Sequence, residues 1–309
     1  MRKSTKALLA IGAAVAAPLI INHLITQKAQ QRIVKRENES TYNWEYGDVR
    51  YLTVGEGQPL LLLHGIYPGA GALEYKKVIE ELSKNHKVYV PDLLGFGYSD
   101  KPNVSYSSYL YVRFIKDFIE DIVGSPVVAA ASLHTAAALA TCAKLNPEDF
   151  IKLFLISPTG TSEKVDLATD LEGYVKKTIS APIAGTSFYH ALVSKRGLSE
   201  FFAAEGLAER PDADMLEELY LSAHAGGVGG KYPIAALLSK FFNGDIRDTL
   251  DKLEVPFHII TGAIMPNSDA FALWSELGEE VATSLIDDAH LLPHLDNPAA
   301  FAELFKELL

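Results

Sequence analysis

The stretch Val127–Ala140 reads VVAAASLHTAAALA, and it points most directly to a fold. A short apolar run ends at Ser132, and a string of small helix-forming residues follows at once. Such a strand-to-helix junction can lift one side chain onto a sharp turn above a parallel sheet, an arrangement called a nucleophile elbow. The usual Gly-x-Ser-x-Gly pattern is half kept around Ser132, because Ala130 and His134 stand at its glycine positions. Ser132 is therefore the candidate nucleophile.

Two glycine-containing loops precede this junction. The segment Pro59–Gly71 reads PLLLLHGIYPGAG, and Lys87–Pro102 reads KVYVPDLLGFGYSDKP. Gly95 and Gly97 allow a tight backbone after a strand end, which residues with a β-carbon resist. With these loops ahead of the elbow, the chain resembles the α/β-hydrolase superfamily over about residues 43–309.

Apolar runs alternate with helix-like stretches along most of the chain. This alternation predicts an α/β fold, with a mainly parallel central sheet flanked by helices. The predicted strands are 48–54, 60–64, 87–91, 127–131, 151–157, 257–261 and 283–287, and the predicted helices are 72–84, 106–123, 133–145, 269–277 and 298–309. Residues 159–248 break the alternation, and there the resemblance implies an inserted helical cap. The predicted organisation is a stem over residues 1–36, a core over 43–158 and 249–309, and the cap over 159–248.

Composition and charge exclude nucleic acid as a partner. Hydrophobic residues make up 48% of the chain and charged residues 22%, which suits a globular domain with a buried sheet. Residues 1–36 hold seven Lys or Arg and no acid, so the rest of the chain has 21 basic and 39 acidic residues, a net charge of −18. Phosphate binding needs a basic face, which this body lacks. The single cysteine, Cys142, cannot form an intrachain disulfide.

The stem contains an uncharged apolar segment, Ala7–Ile25, of 19 residues. That length is near the lower limit for crossing a bilayer, and it predicts a single N-terminal membrane anchor. A signal peptide cleaved after Ala16, which would make the protein secreted, is an alternative. A helix folded against the body is another. Orientation stays open, because basic residues flank the segment on both sides.

The resemblance implies serine chemistry. In the superfamily a serine attacks a carbonyl carbon, a histidine takes its proton, an acid orients the histidine, and two backbone N–H groups hold the oxyanion. Carried onto this chain, Ser132 is the nucleophile, and the N–H groups of Leu133 and Ile66 form the oxyanion hole. His64, which ends the first apolar run, is expected to hold its loop by hydrogen bonds, with an accessory catalytic role as the alternative.

The histidine and the acid of this pattern are not where the superfamily has them. The segment Ile286–Phe301 reads IDDAHLLPHLDNPAAF, and its alignment on Pro293-His294 puts Leu291 at the position of the base. A one-residue shift of the loop would bring His290 over Ser132, so His290 is the candidate base. Met265 stands at the usual position of the acid, and the candidate substitutes are Glu163, Asp287 and Asp288.

Two hypotheses remain open on the sequence, which favours the first of them, an enzyme. The first is a serine hydrolase that acts on an ester-like or other acyl substrate, weakly or with His290 or His134 as an unconventional base. The second is a pseudohydrolase that keeps the pocket for a small apolar ligand and works as a binding or scaffolding protein at a membrane. No motif predicts a metal site or a cofactor.

Overall fold

The predicted strands lie side by side in one sheet. A computed structural model of the chain describes residues 3–162, 169–209, 211–264 and 282–309. In this part of the chain the strands are β1 (Glu39–Trp44), β2 (Gly47–Val54), β3 (Gln58–Leu63), β4 (His86–Pro91), β5 (Val127–Ser132), β6 (Phe150–Ile156), β7 (Phe257–Gly262) and β8 (Thr283–Ile286). Their order across the sheet is β1-β2-β4-β3-β5-β6-β7-β8. The pairs β1–β2 and β2–β4 are antiparallel, and the other neighbouring pairs are parallel.

The central strands read as apolar runs because both of their faces are covered. Successive side chains of a strand point to opposite faces of the sheet. Leu61 and Leu63 of β3 accordingly join one hydrophobic cluster, and Leu60 and Leu62 join a second one. All six residues of β5 are buried, so this strand delivers the elbow to the middle of the sheet.

Helices cover the two clusters. On the side of Leu61 and Leu63 lie α3 (Ser108–Phe118) and α4 (Leu133–Leu145), and on the other side lie α2 (Lys76–Leu82) and the C-terminal α12 (Pro298–Leu308). The small residues of α4 let this helix pack closely, since Ala136 to Ala140 are all buried. These helices confirm the α/β fold with a mainly parallel sheet.

In the described part of the segment predicted as a cap, between β6 and β7, the chain forms five further helices. We call them the cap helices: α5 (Asp170–Ile179), α6 (Ala184–Leu192), α7 (Lys195–Glu205), α8 (Ala213–His224) and α9 (Lys231–Leu238). Two short helices, α10 (Arg247–Asp251) and α11 (Pro293–Asp296), flank β7 and β8 in sequence. The exact division into domains stays a prediction.

The stem does not behave as the sequence predicts. Residues Lys3–Gln30 form α1, whose second half packs on α6 and α8. The Asn22 side chain is buried and donates a hydrogen bond to Ser187 Oγ over 3.1 Å, and Ala29 is fully buried. Among the residues that the structure describes, no helix is both long and apolar enough to span a membrane. The predicted membrane anchor and membrane partner are therefore wrong, because polar residues inside the segment make contacts with the cap helices.

Two other differences concern the edges of the prediction. The sequence does not predict strand β1, since ESTYNW has no apolar run. This strand pairs with β2 at the edge of the sheet, where one face of an antiparallel strand can be exposed to solvent. The predicted helix 269–277 lies outside the described residues. The remaining predicted strands and the helices 133–145 and 298–309 match the observed bounds to within two residues.

Candidate functional site

The sharp turn between β5 and α4 is made by Leu133. Its φ angle is +54°, in the left-handed region that costs a side-chain-bearing residue free energy. Ser132, one residue earlier, has an extended backbone with φ −112° and ψ 149°, and it still pairs with Ile156 in the sheet. The residue on the turn is the one whose side chain an elbow presents above the sheet. Here that side chain is a leucine.

Ser132 points into the protein instead. The residue has no solvent exposure, and its Oγ–H donates to Glu74 Oε1 over 2.6 Å. Burial combined with a carboxylate acceptor fixes the hydroxyl in one orientation.

Glu74 connects three parts of the chain below the elbow. Its Oε2 accepts hydrogen bonds from the Gly65 N–H at 2.9 Å and the Tyr67 O–H at 2.8 Å. Its Oε1 accepts from Ser132 and from His294 Nε2 at 3.0 Å. Burial raises the pKa of the Glu74 carboxyl, but the hydrogen bond and charge of His294 hold that pKa below its ordinary value.

His64 holds its loop through both ring nitrogens. Its Nδ1–H donates to the Gly65 carbonyl over 2.7 Å, and its Nε2 accepts from the Leu93 N–H over 2.9 Å. This pair of contacts defines the neutral tautomer. Full burial lowers the pKa of His64, which keeps the ring neutral.

His290 and His294 turn to different carboxylates, although they are four residues apart. His290 lies 2.8 Å from Asp296 through its Nδ1, and the His290 N–H also donates to Asp296. His294 is fully buried beside Glu74 and stacks on Tyr75. In the described part of the chain no group of three or more His, Cys, Asp or Glu side chains could hold a metal ion.

A cavity of about 370 Å³ lies above the elbow, between the core and the cap helices. We call it the inner cavity. Both Leu133 and Leu291 line it, and so do Ile66 and His134, whereas His290 does not. The remaining wall residues are Tyr67, Thr159, Phe201, Glu205, Leu207, Leu237, Leu238, Lys240 and Asn243. The wall thus carries leucine side chains at the turn after β5 and in the loop after β8.

His134 follows the turn and is engaged with the cap side of this cavity. Its Nε2 lies 3.2 Å from Asn243 Oδ1, and its ring packs edge-on against Phe242. Met265 and Glu163, two positions considered for the acid, lie outside the described residues.

The sheet order, the elbow and the helices inserted after β6 define an α/β-hydrolase fold. The profile of the alpha/beta hydrolase family matches residues 60–304, and the chain belongs to this family. A probable hydrolytic enzyme from Pseudomonas aeruginosa has a similar structure, with a TM-score of 0.70 at 16% identity over 90% of this chain and 96% of the other.

Two bacterial hydrolases are similar to this chain over part of its sequence. A 2-hydroxy-6-oxo-6-(2'-aminophenyl)hexa-2,4-dienoic acid hydrolase of Metapseudomonas resinovorans is 34% identical over 34% of this chain and 41% of its own length. A 2-hydroxymuconate semialdehyde hydrolase of Pseudomonas sp. (strain CF600) is 34% identical over 35% and 39%. The matches thus span about two fifths of these relatives. That the relatives are hydrolases agrees with the expectation that favours an enzyme.

Sequence reasoning missed Glu74. Only its place in the loop after His64-Gly65 could have drawn attention to it. Its partner His294 is 220 residues away, and no local pattern links the two.

Proposed function

We propose that this member of the alpha/beta hydrolase family binds a small, mainly apolar acyl or ester-like compound in the inner cavity without serine-based turnover. The observation that supports the proposal is the positive φ of Leu133, because the residue at the sharp turn of an elbow is the one that serves as nucleophile in this family. Removing the nucleophile alone costs a serine hydrolase about 10⁶ in kcat.

The second support is the pairing of two leucines on one wall. Leu291 stands at the sequence position of the catalytic base and lines the same cavity as Leu133. Neither side chain can transfer a proton or attack a carbonyl carbon. Both add apolar surface, and burying such surface against a ligand contributes about 25 cal/mol per Å².

The cavity also suggests the class of ligand. Its volume falls within the range of small-molecule sites, and its polar side chains include Asn243 and Thr159, which suit one oriented carbonyl group. The names of the two hydrolase relatives describe an oxo acid and a semialdehyde, which are carbonyl compounds.

A second candidate is hydrolysis by Ser132. The contact of Ser132 with Glu74, which in turn contacts His294, favours it, because serine, carboxylate and imidazole are the groups of a catalytic triad. The order of contacts differs from that triad, since the carboxylate lies between the serine and the histidine. The named hydrolase relatives support this candidate as well.

The test uses p-nitrophenyl butyrate with the full-length chain. We expect the wild type to bind the ester, measured by saturation-transfer NMR, with no release of p-nitrophenolate above the uncatalysed rate. Leu291→Asp should weaken binding at least about 10-fold, since it puts a carboxylate on an apolar wall. Leu145→Asp is the matched control, because Leu145 is 63% exposed and lies at the opposite end of α4 from the wall residues Leu133 and His134.

Two outcomes would contradict the proposal. Turnover of the ester that disappears in Ser132→Ala would establish the second candidate. Failure of the wild-type protein to bind the ester would exclude a site for short acyl compounds.

A further inference from the structure

A second apolar cavity adjoins the inner cavity on the cap side. We call it the outer groove, and its volume is about 610 Å³. Helix α5 supplies Tyr174, Val175 and Ile179, helix α6 supplies Gly185 and Phe188, and helix α9 supplies Leu238. Leu238 also lines the inner cavity, so one side chain belongs to the walls of both.

The outer groove offers a ligand little to hydrogen-bond. The described residues that line it carry no charged side chain. Thr178 is also part of the wall, but its hydroxyl donates to the Tyr174 carbonyl over 2.9 Å within α5. A peptide laid in this groove would leave its backbone groups unpaired, which is costly, whereas a hydrocarbon chain would not.

Part of the wall is open to solvent in this structure. Tyr174 is 70% exposed, Phe188 44% and Val175 37%. A continuous apolar patch of this kind typically marks a binding site. A ligand that covered these side chains would gain the free energy of burying them.

The inner cavity has the complementary chemistry. Its wall includes Thr159 and Asn243, which can hydrogen-bond to a carbonyl or carboxylate group. A molecule with a polar end and an apolar tail therefore fits both cavities, with the polar end in the inner cavity and the tail in the outer groove.

We propose that the inner cavity and the outer groove form one site for a compound with a single long alkyl or acyl chain. The carbonyl end occupies the inner cavity, and the chain runs past Leu238 to lie between α5 and α6. This rests on the proposed binding of an acyl compound and adds its chain length. A protein partner in the groove is the alternative that the test must separate.

The test is a chain-length series measured by isothermal titration calorimetry, with butanoate, octanoate and dodecanoate as probes. Each methylene that enters the groove should tighten binding up to about four-fold. Dodecanoate should therefore bind at least about 100-fold more tightly than butanoate. Equal affinities across the series would overturn the proposal, while butanoate binding would still support the inner cavity.

Two groove variants localise the chain. Val175→Asp and Phe188→Asp should each weaken dodecanoate binding at least about 10-fold and leave butanoate unchanged. Both side chains are partly exposed, so these variants are expected to fold, and circular dichroism checks it. The control Leu171→Asp lies on α5 outside the groove wall and is 69% exposed.

Other results point elsewhere. Unchanged dodecanoate affinity in both groove variants would contradict the proposal. If the same variants instead altered the mass measured by light scattering, the groove would be a protein interface. The wild type could also fail to bind butanoate and still bind dodecanoate in a way that depends on Phe188. That result would contradict the proposed binding of short compounds and would still support the outer groove as a site for the chain.

Discussion

Glu74 is the residue on which the loops around the inner cavity depend. Its carboxylate receives four hydrogen bonds, from Gly65, Tyr67, Ser132 and His294, and it has 4% exposure. A buried carboxylate is tolerated only when such partners replace water. Replacing either carboxylate oxygen by an amide NH2 group would leave two of these four donors without their acceptor.

We expect Glu74→Gln to lower the free energy of unfolding by about 3 kcal/mol at neutral pH, because an amide NH2 group replaces a buried carboxylate oxygen that accepts two hydrogen bonds. Urea unfolding followed by circular dichroism measures the change. The control is Glu80→Gln, since Glu80 lies nearby on α2 with its side chain exposed. This variant should change the free energy of unfolding by less than about 0.5 kcal/mol. Equal effects of the two variants would mean that Glu74 does not have this role.

The same residue predicts a pH dependence. The pKa of Glu74 in the folded protein lies below its ordinary value of 4.5, so its stabilisation is present above that pH and is lost as pH falls through the depressed pKa. The stability difference between wild type and Glu74→Gln should therefore be constant from pH 7 to about 5 and shrink below about 4.5. Unfolding curves across this range measure it. A difference that grew on acidification would have the wrong sign.

We expect Leu133 and Leu291 to decide whether the site has serine chemistry. If Leu133 holds the nucleophile position, the double variant Leu133→Ser, Leu291→His should react with a fluorophosphonate probe, whereas wild type should not. The variant Leu291→His alone is the control, because it keeps Ser132 as the nearest serine to the turn. Labelling of that control to the same extent would assign the reactive position to Ser132.

The stem connects the cap helices to the core. Its helix α1 packs on α6 and α8, and the segment after it places Arg36 against Asp92 at 2.5 Å. Asp92 is fully buried and also accepts the N–H groups of Ala72 and Tyr98, so it joins the stem to both glycine-containing loops. Burial raises the pKa of Asp92, but Arg36 holds it below its ordinary value.

Two arginines of the stem should differ in importance. Arg36→Gln leaves the buried Asp92 carboxylate without its cation and should cost about 3 kcal/mol of unfolding free energy. Arg32→Gln breaks an ion pair with Glu217, in which the arginine is 54% exposed, and should cost less than about 1 kcal/mol. Chemical denaturation of both variants makes the comparison. Similar losses would show that Arg36 is not paired as the structure has it.

At the scale of the whole molecule, the inner cavity lies between two parts of the chain. Core residues such as Ile66 and Leu291 form one side of the inner cavity, and cap residues such as Phe201 and Leu237 form the other. Any ligand held there contacts both parts and stabilises their association.

A bound ligand should accordingly stabilise the folded chain as a unit. At a dodecanoate concentration 100 times its Kd, the free energy of unfolding should rise by about 2.7 kcal/mol. Differential scanning calorimetry should show one transition that moves to higher temperature. Val175→Asp should reduce this shift at the same concentration. Two separate unfolding transitions, of which the ligand shifts only one to higher temperature, would contradict this prediction. The ligand would then bind within one part of the chain.

The local sequence pattern was enough to predict the strands of the central sheet and the helix after the elbow. Apolar runs such as Leu60–Leu63 predicted the parallel strands, since a strand buried on both faces must be apolar throughout. The small residues after Ser132 predicted α4 with its observed bounds, Leu133–Leu145. The junction between strand β5 and helix α4 followed from these two signals.

Contacts between distant parts of the chain decided the geometry of the site. Because β5 stays paired with β6 through Ser132, the turn falls on Leu133, and an apolar run alone cannot tell which of two neighbours leaves the sheet. The Glu74–His294 contact and the docking of α1 on the cap helices likewise join residues more than 150 positions apart. Such pairings depend on the packed three-dimensional arrangement and leave no periodic signal in the sequence.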